Sequence, residues 1–285
     1  MTTKDKRMNE NWLPTFLCIG AMKSGTSSLH RYLDGHPDIR MSYPKETDFF
    51  LDRNAKSLDW YQGCFENEAV AYGEVSPNYS KYPGFDGVPE RMHKLLPDIR
   101  LIYLVRDPID RAVSHYVHNW EKRRINDSID DALNPPEDSW YINTSRYYFQ
   151  LSQYLDYYPI ERILIVESEQ LRGERARVLS EIFEFIGVNP NLESDTPDRE
   201  YNTGMRRPTK LADFLIRSSI GKVVKDAGKS VVPESAIEYV KQHIWSDAKK
   251  PEPKRETINQ VKNYLKEDVQ KLRNLTGKSF DSWSL

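Results

Sequence analysis

A lysine and a cluster of hydroxyl residues directly follow a strand-length apolar run in Phe16-Leu-Cys-Ile-Gly-Ala-Met-Lys-Ser-Gly-Thr-Ser-Ser-Leu29. Residues of these types at this spacing make a phosphate cradle. Backbone N–H groups at the start of the following helix point at an anion, and Lys23 adds a mobile positive charge. Gly20 and Gly25 have the separation found in the nucleotide-binding pattern Gly-x-x-x-x-Gly-Lys-Ser/Thr. Thr26, however, stands where that pattern has its lysine, and Lys23 lies earlier, inside the loop. A site of that kind also needs an acid at the end of a second strand to hold Mg²⁺. Here Leu101-Ile-Tyr-Leu-Val105 ends in Arg106, which repels a metal and attracts an anion. The pocket is therefore expected to neutralise phosphates with protein cations and no metal.

Arg106 and Ser114 extend this chemistry. The arginine offers a bidentate fork and the serine a hydroxyl, and both can serve one phosphate. The competing reading pairs Arg106 with Asp107 or Asp110.

These groups need a scaffold. Phe16–Ile19, Ala71–Val75, Leu101–Val105 and Ile163–Val166 are short and nearly uncharged, as expected of strands buried on both faces. Helical spacing is expected over Thr26–Leu33, Pro108–Trp120, Ser145–Tyr158, Arg175–Ile186 and Glu256–Leu275. Asp107 is a suitable N-cap, Pro108 suits the first helical position, and Gly187 is suited to a helix end. Strands alternating with helices predict an α/β fold with a central parallel sheet flanked by helices. Residues 1–14 are expected to form a polar leader and 15–285 a single domain. Glu121–Trp140 and Asn189–Lys210 are expected to be irregular surface.

The 285 residues are 38% hydrophobic and 29% charged, with a formal net charge of −2. That balance gives no reason to expect a nucleic-acid partner or a polybasic membrane patch. Two cysteines, Cys18 and Cys64, do not make a disulfide framework. No run approaches a membrane span or a secretory signal, so a cytoplasmic setting is expected.

The cradle and the Arg106–Ser114 segment together resemble the sulfotransferases that use 3′-phosphoadenosine-5′-phosphosulfate (PAPS). Gly20-Ala-Met-Lys-Ser-Gly-Thr-Ser-Ser28 is similar to their 5′-phosphosulfate loop, and Ile102-Tyr-Leu-Val-Arg-Asp-Pro-Ile-Asp-Arg-Ala-Val-Ser114 to their 3′-phosphate site. Pro44-Lys-Glu-Thr-Asp-Phe-Phe50, Gly73-Glu-Val-Ser-Pro-Asn-Tyr79, Ser145-Arg-Tyr-Tyr148 and the closing Gly277–Trp283 resemble the heparan sulfate and bacterial branch. The resemblance spans about residues 14–285 and implies a three-layer, P-loop-like fold.

It also implies a donor held at both ends. Lys23, Ser24, Gly25, Thr26 and Ser27 would take the 5′-phosphate, and Arg106 and Ser114 the 3′-phosphate. Arg206 and Arg207 occupy the place where relatives close a loop over that phosphate. Tyr147 would line the donor site or pack in the core. Lys23 would meet the charge that grows on the leaving phosphate, leaving 3′-phosphoadenosine-5′-phosphate (PAP) as product. Glu46 holds the position of the catalytic base in the heparan sulfate branch, with Phe49 and Phe50 nearby to raise its pKa. Alternatively it pairs with Lys45 or Lys23. The chain departs from that branch two residues later, where Asp48 replaces a frequent histidine, and Asp48 or Asp52 could share the base role.

A histidine base, as used by the branch acting on phenols and steroids, has no candidate in the Glu46 motif. His115 and His118 have metal-ligand spacing without a third ligand pattern, and are expected to be solvated or satisfied. Flat faces for an acceptor are offered by Trp60, Tyr61, Tyr79, Tyr82 and Trp140, which could equally pack in the core. Lys122, Arg123 and Arg124 either bind an anionic saccharide or form a solvated helix end. The acceptor is expected to be a small molecule, a lipid-linked sugar or another saccharide, and a homodimer stays open. The competing functions are a P-loop kinase or NTPase and a non-catalytic nucleotide-binding protein.

Overall fold

The computed structural model describes residues 13–51, 56–65, 68–191, 207–208, 245–246 and 250–285. Five strands form one parallel sheet: β1 (Phe16–Gly20), β2 (Ile39–Met41), β3 (Ala71–Val75), β4 (Arg100–Val105) and β5 (Ile163–Glu167). Their order is β2-β3-β1-β4-β5. Phe16 lies opposite Gly73 on β3 and Arg100 on β4, and Val105 lies opposite Glu167 on β5. Gly73 is where the sheet needs no side chain, because a Cβ there would overlap the Phe16 ring. Each residue of β1 and β3 is buried, which explains why β1 reads as an unbroken apolar or small run and why β3 carries a single charge, Glu74.

Helices cover both faces. α1 (Thr26–Asp34) follows β1 and buries Leu29 and Leu33, worth roughly 1.5–3 kcal/mol each. α2 (Leu58–Gln62) and α3 (Val88–Leu95) flank β3 in sequence. α4 (Pro108–Glu121) follows β4, and its Asp107 cap accepts the N–H groups of Ile109 and Asp110 at 2.9 Å each. Ser284 N–H donates to the other Asp107 oxygen at 2.6 Å, tying the C-terminal segment to this cap.

Glu121–Trp140 is not wholly irregular. It contains α5 (Ile129–Leu133), and α6 (Trp140–Asn143) begins at its end. Ser128 and Ser139 cap these short helices, and Ile129 and Leu133 bury one face of α5. The polar composition hid these caps.

α7 (Tyr147–Leu155) is capped from another helix. Asp268 accepts the N–H groups of Tyr148 and Phe149 at 3.0 Å each. α8 (Ser168–Gly173) and α9 (Arg175–Ile186) follow β5, and α9 ends at Gly187 with φ 86°. α10 (Arg255–Thr276) packs against α7 and α4. A short antiparallel pair joins Arg207–Pro208 to Trp245–Ser246. The fold is the expected α/β arrangement; β2, only three residues long, escaped the sequence reading. Among the described residues no helix is long and apolar enough to cross a membrane.

Candidate active site

The chain runs from β1 to β2 and β3 on one side, then to β4 and β5 on the other. Such a reversal opens a crevice at the carboxyl ends of the central strands. The cradle lies there, between β1 and α1. Ala21 N–H donates to Leu104 O at 2.6 Å, fixing the loop to the end of β4. Lys23 has φ 72° and Gly25 φ 96°, so the loop turns twice through the left-handed region. Only the second turn has a glycine; Lys23 holds its conformation at a cost of about 1 kcal/mol or more. Thr26 and Ser27 open α1, where N–H groups lack an i−4 partner in the helix, and both residues line the crevice.

Arg111 on α4 braces this loop from behind. Its guanidinium is fully buried and donates to Met22 O (3.3 Å), Ser145 Oγ (2.6 Å), Thr144 Oγ1 (2.8 Å) and Tyr141 O. Lys81 contacts the same residue from β3's side, its Nζ 3.0 Å from Met22 Sδ and donating to Asn78 Oδ1 at 2.6 Å. Neither residue was singled out by the sequence reading; a buried arginine whose partner Ser145 lies 34 residues away in sequence leaves no local pattern.

A cavity of about 860 Å³ opens above the cradle. Lys23, Gly25, Thr26, Ser27, Arg106, Ser114 and Glu46 all line it. Three separate stretches of sequence, 23–27, 46 and 106–114, thus meet there, joined by Ser168, Arg172 and Arg175 from α8 and α9, by His118 from α4 and by Lys122 just after it. Ser24 is fully buried beneath the loop. Tyr147 is also fully buried: its hydroxyl accepts Arg106 N–H at 3.3 Å and its ring meets Tyr103 and Trp283, so it supports Arg106 from the core. Arg206 lies outside the described residues, and Arg207 is described only as backbone in the short antiparallel pair.

Arg106 pairs with Asp110 at 2.8 Å, as one reading expected. Asp110 is 63% exposed, so this pair is weak and yields to a phosphate. Burial lowers the Lys23 ammonium from its usual pKa, with Glu121 acting in the opposite direction.

The apolar surround expected for Glu46 is absent. Its side chain is 46% exposed and accepts a hydrogen bond from Lys45 Nζ at 2.8 Å. The chain turns at Asp48, φ 51°, which sends Thr47 and Phe50 into the core and leaves Glu46 on the cavity rim. Phe49 stacks on Tyr61 at 4.1 Å, and Phe50 packs against Tyr61 and Tyr79. Asp48 is occupied by Asn78 Nδ2, at 2.9 and 3.2 Å, and burial raises its pKa. Asp52 lies outside the described residues.

His118 lines the cavity one turn beyond Ser114, and burial, then Lys23, Lys122, Arg124 and Lys81, lower its pKa to about 4. It stands there as a neutral imidazole. His115 is buried against Tyr141 and Arg111, which satisfies it as expected. Of the three basic residues after α4, only Lys122 reaches the cavity wall.

None of the aromatic faces proposed for an acceptor lines this cavity. Tyr61 and Tyr79 are buried, Trp60 lies under Lys56 Nζ at 3.8 Å, and Trp140 packs over Gly84. Tyr82 and Tyr79 line a separate cleft of about 110 Å³.

Residues 13–203 match the family model described as "Sulfotransferase domain". The chain belongs to this family. A Drosophila melanogaster bifunctional heparan sulfate N-deacetylase/N-sulfotransferase is 29% identical over 255 residues, covering 79% of this chain and 24% of that protein. The corresponding Bos taurus protein is 30% identical over 66% of this chain and 24% of its own length. A Mus musculus heparan sulfate glucosamine 3-O-sulfotransferase is 29% identical, covering 61% of this chain and 52% of that protein. The chain thus spans about a quarter of the first two relatives. A sulfotransferase from Alicyclobacillus acidocaldarius has the same fold, with a TM-score of 0.68 at 22% identity over 96% of this chain and all of that one.

Proposed function

We propose that this protein transfers a sulfuryl group from PAPS to a hydroxyl or amine of a saccharide or small-molecule acceptor. The observation that carries this reading is the cavity itself: a cradle lysine, a strand-end arginine, a helix serine and one rim carboxylate converge on a single space. Lys23 and the cradle amides suit the 5′-phosphosulfate, and Arg106 with Ser114 suits the 3′-phosphate. In the transfer, the bond between sulfur and the phosphate oxygen breaks as sulfur bonds to the acceptor atom. The acceptor proton goes to Glu46, and PAP leaves with the electron pair, its new charge facing Lys23. Positioning and preorganised charge supply most of the acceleration, as in phosphoryl transfer.

The half-exposed setting of Glu46 supports a base that meets the acceptor at the open rim of the cavity rather than one enclosed by apolar side chains. The relatives include both N- and O-sulfotransferases of heparan sulfate, which supports a saccharide acceptor and makes both atom types worth testing. A cytoplasmic setting belongs to the same reading, supported by two buried, unpaired thiols.

Thermal shift with PAP against ATP plus Mg²⁺ tests the donor site. Preferential stabilisation by PAP is expected; preference for Mg-ATP would move the protein to the nucleotide kinases. Transfer from ³⁵S-labelled PAPS to de-N-sulfated heparin, heparosan and simple phenols then tests the acceptor class.

A further inference from the structure

Glu74, at the end of β3, is a fully buried carboxylate whose partners among the described residues are hydroxyls rather than cations. Oε1 accepts from Thr47 Oγ1 at 2.6 Å, Ser76 Oγ at 2.5 Å and Tyr79 Oη at 2.7 Å. Oε2 accepts from Tyr61 Oη at 2.5 Å.

The three hydroxyls on Oε1 each have a second contact. Ser76 Oγ accepts the N–H of Asp48 at 3.2 Å, Thr47 Oγ1 that of Phe49 at 3.2 Å, and Tyr79 Oη that of Phe50 at 3.3 Å. Three consecutive amides, beginning two residues after Glu46, are thus held by hydroxyls that converge on one carboxylate. A hydroxyl has one proton and two lone pairs. An acceptor-only carboxylate draws all three protons toward itself and turns the lone pairs outward to the amides. Each donation polarises the next.

We propose that Glu74 is the positioning residue of the loop that carries the base: its Oε1 orients Thr47, Ser76 and Tyr79, and these fix residues 48–50 so that Glu46 stays on the cavity rim. This rests on Glu46 being the base. Replacing Glu74 loosens the loop and leaves the donor cradle, between β1 and α1, intact. Tyr61 provides the contrast. Its hydroxyl meets Oε2 and relays to none of the three amides, while its ring stacks on Phe49.

Glu74→Gln, Thr47→Val and Tyr61→Phe are compared in the full chain by amide hydrogen exchange, by calorimetric titration with PAP, and by turnover with PAPS and de-N-sulfated heparin. Glu74→Gln and Thr47→Val are expected to speed exchange at Phe49 and Phe50 about tenfold or more, with β1 and β4 amides within about twofold. Turnover should fall about tenfold in both, with KM for PAPS and affinity for PAP changed by less than about threefold. Tyr61→Phe should lower Tm comparably yet leave exchange at Phe49 and Phe50 and turnover within about threefold. Unchanged exchange at those amides in Glu74→Gln, or a uniform rise across β1, β3 and β4, overturns the proposal. Glu46→Gln is measured beside them. If it keeps turnover, the base assignment fails; if it loses turnover while Thr47→Val and Glu74→Gln keep theirs, only the positioning role fails.

Discussion

The two banks of the cavity are built by different means. The donor bank is made of element ends: the cradle at the end of β1, Arg106 at the end of β4, and Ser114 on α4. Its groups are placed by the sheet and by helix geometry, and each sits a fixed number of residues from a strand. The opposite bank, with Glu46, is a loop. It has no strand end to place it and is held by side chains 28 and 29 residues away, Ser76 and Tyr79, with the buried Glu74 behind them. A rigid bank should lose chemistry or affinity one residue at a time, whereas the loop bank should lose its position as a unit.

The largest expected effect lies on the donor bank. Lys23→Ala should lower turnover by about 10²–10³-fold, the usual cost of removing a donor that meets developing charge. Affinity for PAP should fall by less than about fivefold, because the cradle amides remain. Single-turnover kinetics with PAPS and calorimetry with PAP separate the two. A loss confined to affinity would make Lys23 a binding residue only and would break the division of labour drawn here.

A smaller effect sharpens the same bank. Arg106→Lys keeps the charge and loses the bidentate fork, and Ser114→Ala removes one hydroxyl. Each should reduce the preference for PAP over 5′-AMP by about tenfold, with 5′-AMP binding itself nearly unchanged. The Asp110 pair must be broken first, and its exposure makes that inexpensive. Equal losses for both nucleotides would place these residues away from the 3′-phosphate.

This contrast also explains what was legible in the sequence. Strand-to-cradle spacing and the strand ending in Arg106 are local, so the sheet, its flanking helices and most of the donor bank could be read directly. Glu74 lies in a motif noted for resemblance alone, because nothing local shows that four hydroxyls from three segments converge on it. Phe49 and Phe50 were read as an apolar surround for Glu46, but they pack against Tyr61 and Tyr79 while Glu46 points the other way; that depends on the positive φ of Asp48. His118 was weighed only as a metal ligand and as a base within the Glu46 motif, while two of its neighbours at the cavity, Lys23 and Lys81, are far away in sequence.

His118 yields the smallest effect and decides which bank it serves. Its pKa is lowered from 6.5 to about 4, by burial first and then by Lys23, Lys122, Arg124 and Lys81. The folded state therefore refuses a proton that the unfolded chain accepts below pH 6.5. The contribution of the neutral ring is present above that pH and is lost as pH falls toward 4. The Tm of the wild type minus that of His118→Asn should fall by a few degrees across this window, measured by thermal unfolding. Groups shared by both proteins, including the buried His115, cancel in this difference. Saturating PAP changes the balance if its phosphates sit among the same cations. Negative charge beside the ring raises its proton affinity, so the difference should flatten with PAP bound. A slope that persists unchanged with PAP would assign His118 to the Glu46 side of the cavity, facing the acceptor rather than the donor.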